Sequence, residues 1–333
     1  MSATFRDDVY GAYWELAAER QRIFYRRLAD NPSPWTEDRV LREYRFCNAF
    51  RASDRVSQYL IRHVIYADDD IRPEDLLLRI VLFRLFSRPR TWELLKAEVA
   101  LRADSFDPVR LGDLLDAELA AGEAIYTNAF ILAATATFGH RRKHRNHLAL
   151  VELMLRDRLG RSIASVESLS GLYELLLGYP MIGPFMAYQL AIDINYSELV
   201  DFDESSFTMP GPGALRGIRK VFADPGVATP SELILWVTEN QERDLERLGI
   251  DMPTLWGRRL QAIDCQNLFC ELDKYARVKF PHLRSERVRI KQRFAPAGRP
   301  PAPFYPPKWS INERIGAAAR APAAGAIAPL RAT

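Results

Sequence analysis

Along residues 1–279 apolar side chains recur at spacings of three and four with few strict alternations, a period that predicts helices rather than strands. Clusters of Pro, Gly and Asp punctuate it at 31–34, 67–73, 87–90, 104–108, 160–162, 179–184, 210–213 and 224–230, leaving connections of ordinary length. The expected fold class is all-α, without internal repeats. Beyond Phe294 the amphipathic pattern stops. The text becomes APAGRPPAPFYPPKW and then AAARAPAAGAIAPLRAT, where proline and alanine replace any buried face. The chain is therefore expected to divide into a helical body over 1–294, two lobes around a cleft, and an extended or disordered basic tail over 295–333.

Four segments carry candidate chemistry. The first, residues 44–60 (YRFCNAFRASDRVSQYL), is expected to be one helix. At about 100° per residue Phe46, Ala49, Phe50, Ser53, Val56 and Leu60 share a face. Tyr44, Asn48, Arg51, Arg55 and Gln58 form the opposite polar stripe, which reads either as a solvated outer face or as part of a site. In the second, residues 175–207, a tight turn over Tyr179, Pro180, Met181, Ile182 and Gly183 precedes an apolar helix that Pro184 opens. Such a hairpin offers backbone N–H groups of Ile182 and Gly183 to a phosphate, although an ordinary helix connection looks the same. An acidic run, Asp201, Asp203 and Glu204, follows about 20 residues after Gly183.

The third segment is MPGPGALRGIRKV, residues 209–221. Gly211 and Gly213 permit close backbone approach, and the helix they open carries Arg216, Arg219 and Lys220, which suits a phosphate or pyrophosphate as well as a plain basic helix. In the fourth, LQAIDCQNLFCELDKY, residues 260–275, Asp264, Asn267, Glu271 and Lys274 share a narrow stripe opposite Cys265, Leu268, Phe269 and Leu272. That stripe is either a salt-bridge ladder or the lining of a cleft.

Composition narrows the classes. The net charge is +3, with ten Arg or Lys against two Glu in residues 280–333, so the body is acidic by subtraction. This fits local phosphate-binding patches and a basic tail better than a uniformly basic DNA coat. Cys47, Cys265 and Cys270 form no C-x-x-C pair, which excludes a disulfide framework and a thiolate zinc or iron–sulfur site. The basic cluster His140, Arg141, Arg142, Lys143 and His144, with His147, reads as a phosphate-contacting loop rather than a metal site. No apolar run approaches the roughly 20 residues of a membrane span, and the first residues lack a secretory pattern. A cytoplasmic address is expected.

Three stretches give the chain a family likeness: PWTEDRVLREYRFCNAFRASDRVS, IGPFMAYQLAIDINYSELVDFDESSFTMPGPGALRGIRK and LQAIDCQNLFCELDKYARV, together spanning roughly Phe5 to Phe280. They resemble the alpha-glutamyl/putrescinyl thymine pyrophosphorylases, or amino acid:DNA transferases, and the related helical domain of hydroxymethyluracil DNA kinases. The resemblance implies a two-lobed fold like that of helix-hairpin-helix DNA glycosylases. It further implies double-stranded DNA containing modified thymine, in a phage-infected host cytoplasm, as the substrate. The reaction implied is displacement of pyrophosphate from pyrophosphorylated 5-hydroxymethyluracil by a small amine or amino acid, with no membrane involved.

In glycosylases of this type an essential Asp lies beside the hairpin, and Asp203 fits that register best, with Asp201 next. The lyase-type lysine position is Phe185 here, which removes a Schiff-base route. Asp203, or failing it Asp201, is then the expected general base, with Asn48, Arg51 and Arg55 also at the reacting centre. Arg216, Arg219 and Lys220 would face the charge growing on the leaving group. The residues point to no particular cofactor, although carboxylates could hold a Mg²⁺ on the pyrophosphate. The alternatives are a true glycosylase, in which Asp203 stabilises an oxocarbenium charge, and a non-catalytic DNA-binding module working beside a hydroxymethyluracil DNA kinase.

Overall fold

Proline begins six of the helices: Pro73, Pro89, Pro108, Pro184, Pro212 and Pro230 each stand at a helix start, where the missing N–H costs nothing and the fixed φ is already helical. The structure, a computed structural model, describes residues 3–68, 70–127, 136–283, 289–290, 292–295 and 300–315. Its helices are α1 (Asp7–Leu28), α2 (Arg39–Glu43), α3 (Arg55–Leu60), α4 (Pro73–Phe86), α5 (Pro89–Glu98), α6 (Pro108–Ala120) and α7 (Lys143–Arg156). There follow α8 (Leu159–Ala164), α9 (Leu169–Leu177), α10 (Pro184–Asn195), α11 (Pro212–Val221), α12 (Pro230–Glu239), α13 (Gln241–Leu248) and α14 (Ala262–Lys279). The fold is all-α apart from one short antiparallel pair, β1 (Thr4–Phe5) on β2 (Phe222–Asp224). No helix among the described residues is long and apolar enough to cross a membrane.

Two groups of helices share one apolar core. In the first, α14 packs against α11, α1 and α12; in the second, α4 packs against α5, α7, α8 and α10, with α6 on α7 and α9 on α10. The tightest approach is α11 on α14. A Cβ on Gly217 would sit 1.9 Å from the Phe269 carbonyl oxygen, and one on Gly213 would sit 2.2 Å from Cys270 Sγ. Gly217 is thus required by contact with the α14 backbone, and Gly213 by the Cys270 side chain, so both glycines have a reason inside the protein. Gly217→Ala is expected to cost about 1–3 kcal/mol by overpacking. Gly11→Ala, in α1 where the methyl meets nothing within 4 Å, is expected to stabilise by about 0.5–1 kcal/mol. Urea unfolding of the two variants reads this difference in sign.

The structure departs from the sequence reading in four places. Residues 44–54 are not helical. The segment is an irregular loop with a short 3₁₀ turn (Arg51–Ser53), and only Arg55–Leu60 is α-helix. Its N–H groups at Cys47, Asn48 and Arg51 bond to the side chains of Glu271, Asp54 and Asp264 instead of to carbonyls four residues back. The expected break at 160–162 lies inside α8; the chain turns instead at Arg158, in the left-handed region. The stretch expected to be a tail packs on the body over 303–315, with Tyr305 fully buried and Ile311 and Ile315 nearly so. Residues 296–299 and 316–333 of that stretch lie outside the described residues. In the basic histidine cluster His144 and His147 point inward, and Asp116 supplies a carboxylate to Arg142, His144 and Arg145. Burial takes the His147 imidazole down to about 3, so it stays neutral.

Candidate functional site

The N-terminus of α14 gathers the polar groups of three distant segments. Asp264, in the first turn of α14, accepts a hydrogen bond from the Gln261 N–H at 2.9 Å, closing a reciprocal cap. Its other oxygen accepts from the Arg51 N–H at 2.7 Å, which ties the 44–54 loop to this helix. Gln261 in turn accepts from Ser205 Oγ at 2.9 Å, bringing in the acidic loop after α10. In that loop Glu204 is buried and accepts from Arg258 Nη2 at 2.8 Å.

Below this cap lies a buried charge network. Arg51 donates through Nε to Gln189 Oε1 at 3.0 Å and through Nη2 to Asp193 Oδ1 at 2.8 Å. Arg84 of α4 pairs with the other oxygen of Asp193, and the Tyr196 ring lies 5.4 Å from the Arg51 guanidinium carbon. Burial pushes the Glu204 carboxyl up to about 7, against the pull of Arg258, with Asp264 raising it further and Arg51 and Lys308 opposing. Asp264 is likewise raised by burial, to about 6, although the Gln261 and Arg51 N–H groups favour its charged form. Burial thus raises two carboxyls that lie beside arginines toward neutrality, a perturbation that marks candidate functional groups.

A second layer fixes the 44–54 loop. Arg20 of α1 donates to the Cys47 carbonyl at 2.8 Å and to Asn48 Oδ1 at 3.2 Å. Asn48 donates to the Ser53 carbonyl at 2.7 Å and, from its backbone, to Asp54 Oδ1 at 2.8 Å. Glu271 accepts from the Cys47 N–H at 3.0 Å and pairs with Lys274 at 2.7 Å.

The sequence candidates thus fall into three sets. Arg51, Asn48, Asp264, Glu271 and Lys274 come together, with Asn267 half-buried between the last groups on α14 and Arg55 exposed at the start of α3. Arg51 is buried, not part of an outer stripe. Asp201 and Asp203 lie at the rim. Asp203 is exposed and accepts from the Ser205 N–H at 2.8 Å, closing its own turn, and Asp201 lies 3.4 Å from Lys308 Nζ. Asn195, the last residue of α10, holds the Phe202 backbone at 2.8 and 2.9 Å. Asp203 therefore follows a backbone segment that Asn195 holds at the end of α10 opposite Gly183.

The third set is occupied elsewhere. Arg216 and Lys220 both lie 2.9 Å from the buried Asp273, and Arg277 joins them there. Arg219 is exposed. Gly211 packs against Phe185, where a Cβ would lie 2.8 Å from the ring. At the hairpin the Ile182 N–H is already bonded to the Tyr179 carbonyl at 3.2 Å. Gly183 is different: it is exposed, has φ −85°, and a Cβ there would meet nothing within 4 Å. Sequence reasoning missed Glu204 as a site residue, together with Arg258, Asp193, Arg84 and Gln189. Glu204 was visible in the acidic run, but nothing local distinguishes it from its exposed neighbours.

Residues 7–285 match the family described as 5-hmdU DNA kinase, helical domain, and the chain belongs to that family. It is 28% identical over 295 residues to a 5-hmdU DNA kinase of Bacillus phage SP10. The match covers 80% of this chain and 45% of that protein, so the chain spans less than half of the relative's length. No solved structure matches the chain.

Proposed function

We propose that the protein modifies 5-hydroxymethyluracil in DNA by transferring a small amine or amino acid onto the pyrophosphate ester of that base. The scaffold in this proposal is a helix-hairpin-helix glycosylase-like one, with two lobes around the site and DNA held at the α9–α10 hairpin. Membership in the helical-domain family supports the choice of base. The observation that carries the chemistry is the buried Glu204 carboxyl, raised to about 7 and paired with Arg258.

In this reaction the amine nitrogen attacks the exocyclic methylene of the flipped base, a C–N bond forms, and the C–O bond to pyrophosphate breaks with its electron pair. The proton leaving the nitrogen goes to Glu204, whose proton affinity is raised by burial toward neutral pH. In this scheme Arg258, on the Glu204 carboxyl, and the exposed Arg55 would meet charge growing on the leaving oxygens; Arg216 and Lys220 pair with Asp273. At Gly183 neither backbone conformation nor an internal contact calls for a glycine, which suits a bare N–H exposed to a phosphate. Among the described residues no three His, Cys, Asp or Glu groups gather to hold a metal. Any Mg²⁺ would arrive with the pyrophosphate.

Phosphoryl transfer by a Walker-type loop is not encoded here, because no lysine in the chain follows a glycine. In this scheme a kinase activity supplies the activated base before the amine attacks it. The test is incubation with pyrophosphorylated 5-hydroxymethyluracil DNA and an amine pool, followed by nucleoside mass analysis. An aminomethyl-linked adduct with release of pyrophosphate is expected. Abasic sites would point to base excision, and unchanged nucleosides with every amine would overturn the proposal.

A further inference from the structure

Residues 300–315 lie beyond the family-matched region, which ends at residue 285, yet they dock directly on the candidate site. The docking is specific. Tyr305 is fully buried with its hydroxyl 2.8 Å from Ser53 Oγ. Gln58 clamps the Phe304 backbone at 2.9 and 3.0 Å, and Asn312 closes the turn on Tyr305 at 2.9 and 2.8 Å. Lys308 Nζ donates to the carbonyls of Ser197 at 2.8 Å and Val200 at 2.7 Å, just past the C-terminus of α10, where backbone oxygens lack helical partners.

These anchors deliver Trp309 onto Arg258. The guanidinium carbon of Arg258 lies 3.9 Å from the Trp309 ring centroid, while the ring stacks at 6.0 Å on Tyr305 and meets Tyr196 edge-on at 5.5 Å. Arg258 belongs to an irregular loop and is 21% exposed, so its long side chain has many solvated rotamers available. The indole face selects the one that reaches Glu204. We infer that the C-terminal segment is part of the site, and that Trp309 is a positioning residue which holds the Arg258 guanidinium against the Glu204 carboxylate.

The bearing of this contact on turnover rests on the amine-transfer proposal; the contact itself does not. Trp309→Leu keeps an apolar but smaller side chain against Tyr305 and Tyr196 and removes the π face, whereas Trp309→Phe, also smaller than Trp, keeps a π face. In full-length protein with labelled arginine, a pinned Arg258 gives separate, slowly exchanging guanidinium resonances, assigned by their loss in Arg258→Lys. Trp309→Leu is expected to collapse these signals and to lower amine transfer roughly tenfold, the weight of one desolvated cation–π contact. Trp309→Phe should largely restore both. An unchanged Arg258 signal in a folded Trp309→Leu protein would overturn the inference. Collapse of the signal, with no amine transfer even by the unmodified protein, would leave the inference standing and remove the proposed function instead.

Discussion

Glu204→Gln should abolish nearly all amine transfer, by roughly 10²–10⁴-fold, because it removes the buried carboxyl that the proposal assigns to accept the amine proton. Rate against pH carries the more specific signature. With Glu204 titrating at about 7, the base form is lost as pH falls, so the unmodified protein should show an acid limb with its midpoint there. The residual activity of Glu204→Gln should lack that limb. Retention of activity within tenfold, or the same acid limb in the variant, would place the base elsewhere, with Asp203 next to be tested.

The same residue has a measurable effect on stability, with a fixed sign. Its folded-state value, about 7, lies above the ordinary value of 4.5. Below pH 4.5 the folded and unfolded chains both hold the proton, and the contribution is fully present. Between these values the unfolded chain releases the proton first, so folding weakens as pH rises, by roughly 3 kcal/mol in all. Gln cannot ionise. Relative to the unmodified protein, Glu204→Gln should therefore gain roughly that amount between pH 4 and 8, read from urea unfolding at the two pH values.

What the sequence exposed and what it hid divide along a physical line. The breaks that precede the helices starting at Pro73, Pro89, Pro108, Pro212 and Pro230, and the helix start at Pro184, were legible because proline acts on its own backbone. The stripe Asp264, Glu271 and Lys274 was legible because a helix repeats its faces, and the structure puts it against the 44–54 loop. That loop was misread as helix because its periodicity is real but its partners are remote. Arg51 finds Asp193 across 142 residues and Asp264 across 213. No local pattern announces that an arginine in a helical-looking register is buried on a carboxylate so far along the chain.

Glu204 and the C-terminal segment were hidden for related reasons. The burial of Glu204 depends on Arg258, 54 residues on, and on a loop whose own conformation is set by Asn195 and Gln261. In residues 303–315 the apolar side chains that pack, Phe304, Tyr305, Trp309, Ile311 and Ile315, follow no helical or strand period. Prolines and polar residues between them erase any amphipathic signal, so composition reads the segment as tail. Conversely, Gly213 and Gly217 looked like phosphate-loop glycines because permissive backbone and close helix contact demand the same residue.

The largest loss of stability is expected at Asp193. This residue, with no exposed surface, lies on α10 and faces Arg51 of the 44–54 loop and Arg84 of α4, themselves 3% and 1% exposed. Removing it leaves two guanidinium groups in the interior without their shared counter-charge. Asp193→Ala is therefore expected to cost roughly 3–5 kcal/mol, a large share of the 5–15 kcal/mol by which domains are usually stable. Asp193→Asn should cost nearly as much, since one carbonyl cannot serve both arginines and its NH₂ would face donors. If loss of the shared carboxylate charge is the cause, rather than lost packing, Asp193→Leu combined with Arg51→Met and Arg84→Met should recover much of the deficit. A single-variant loss below about 1 kcal/mol in urea unfolding, or a triple variant no better than Asp193→Ala, would show that water relieves the buried arginines. In that case the network would not be what holds the 44–54 loop against α10.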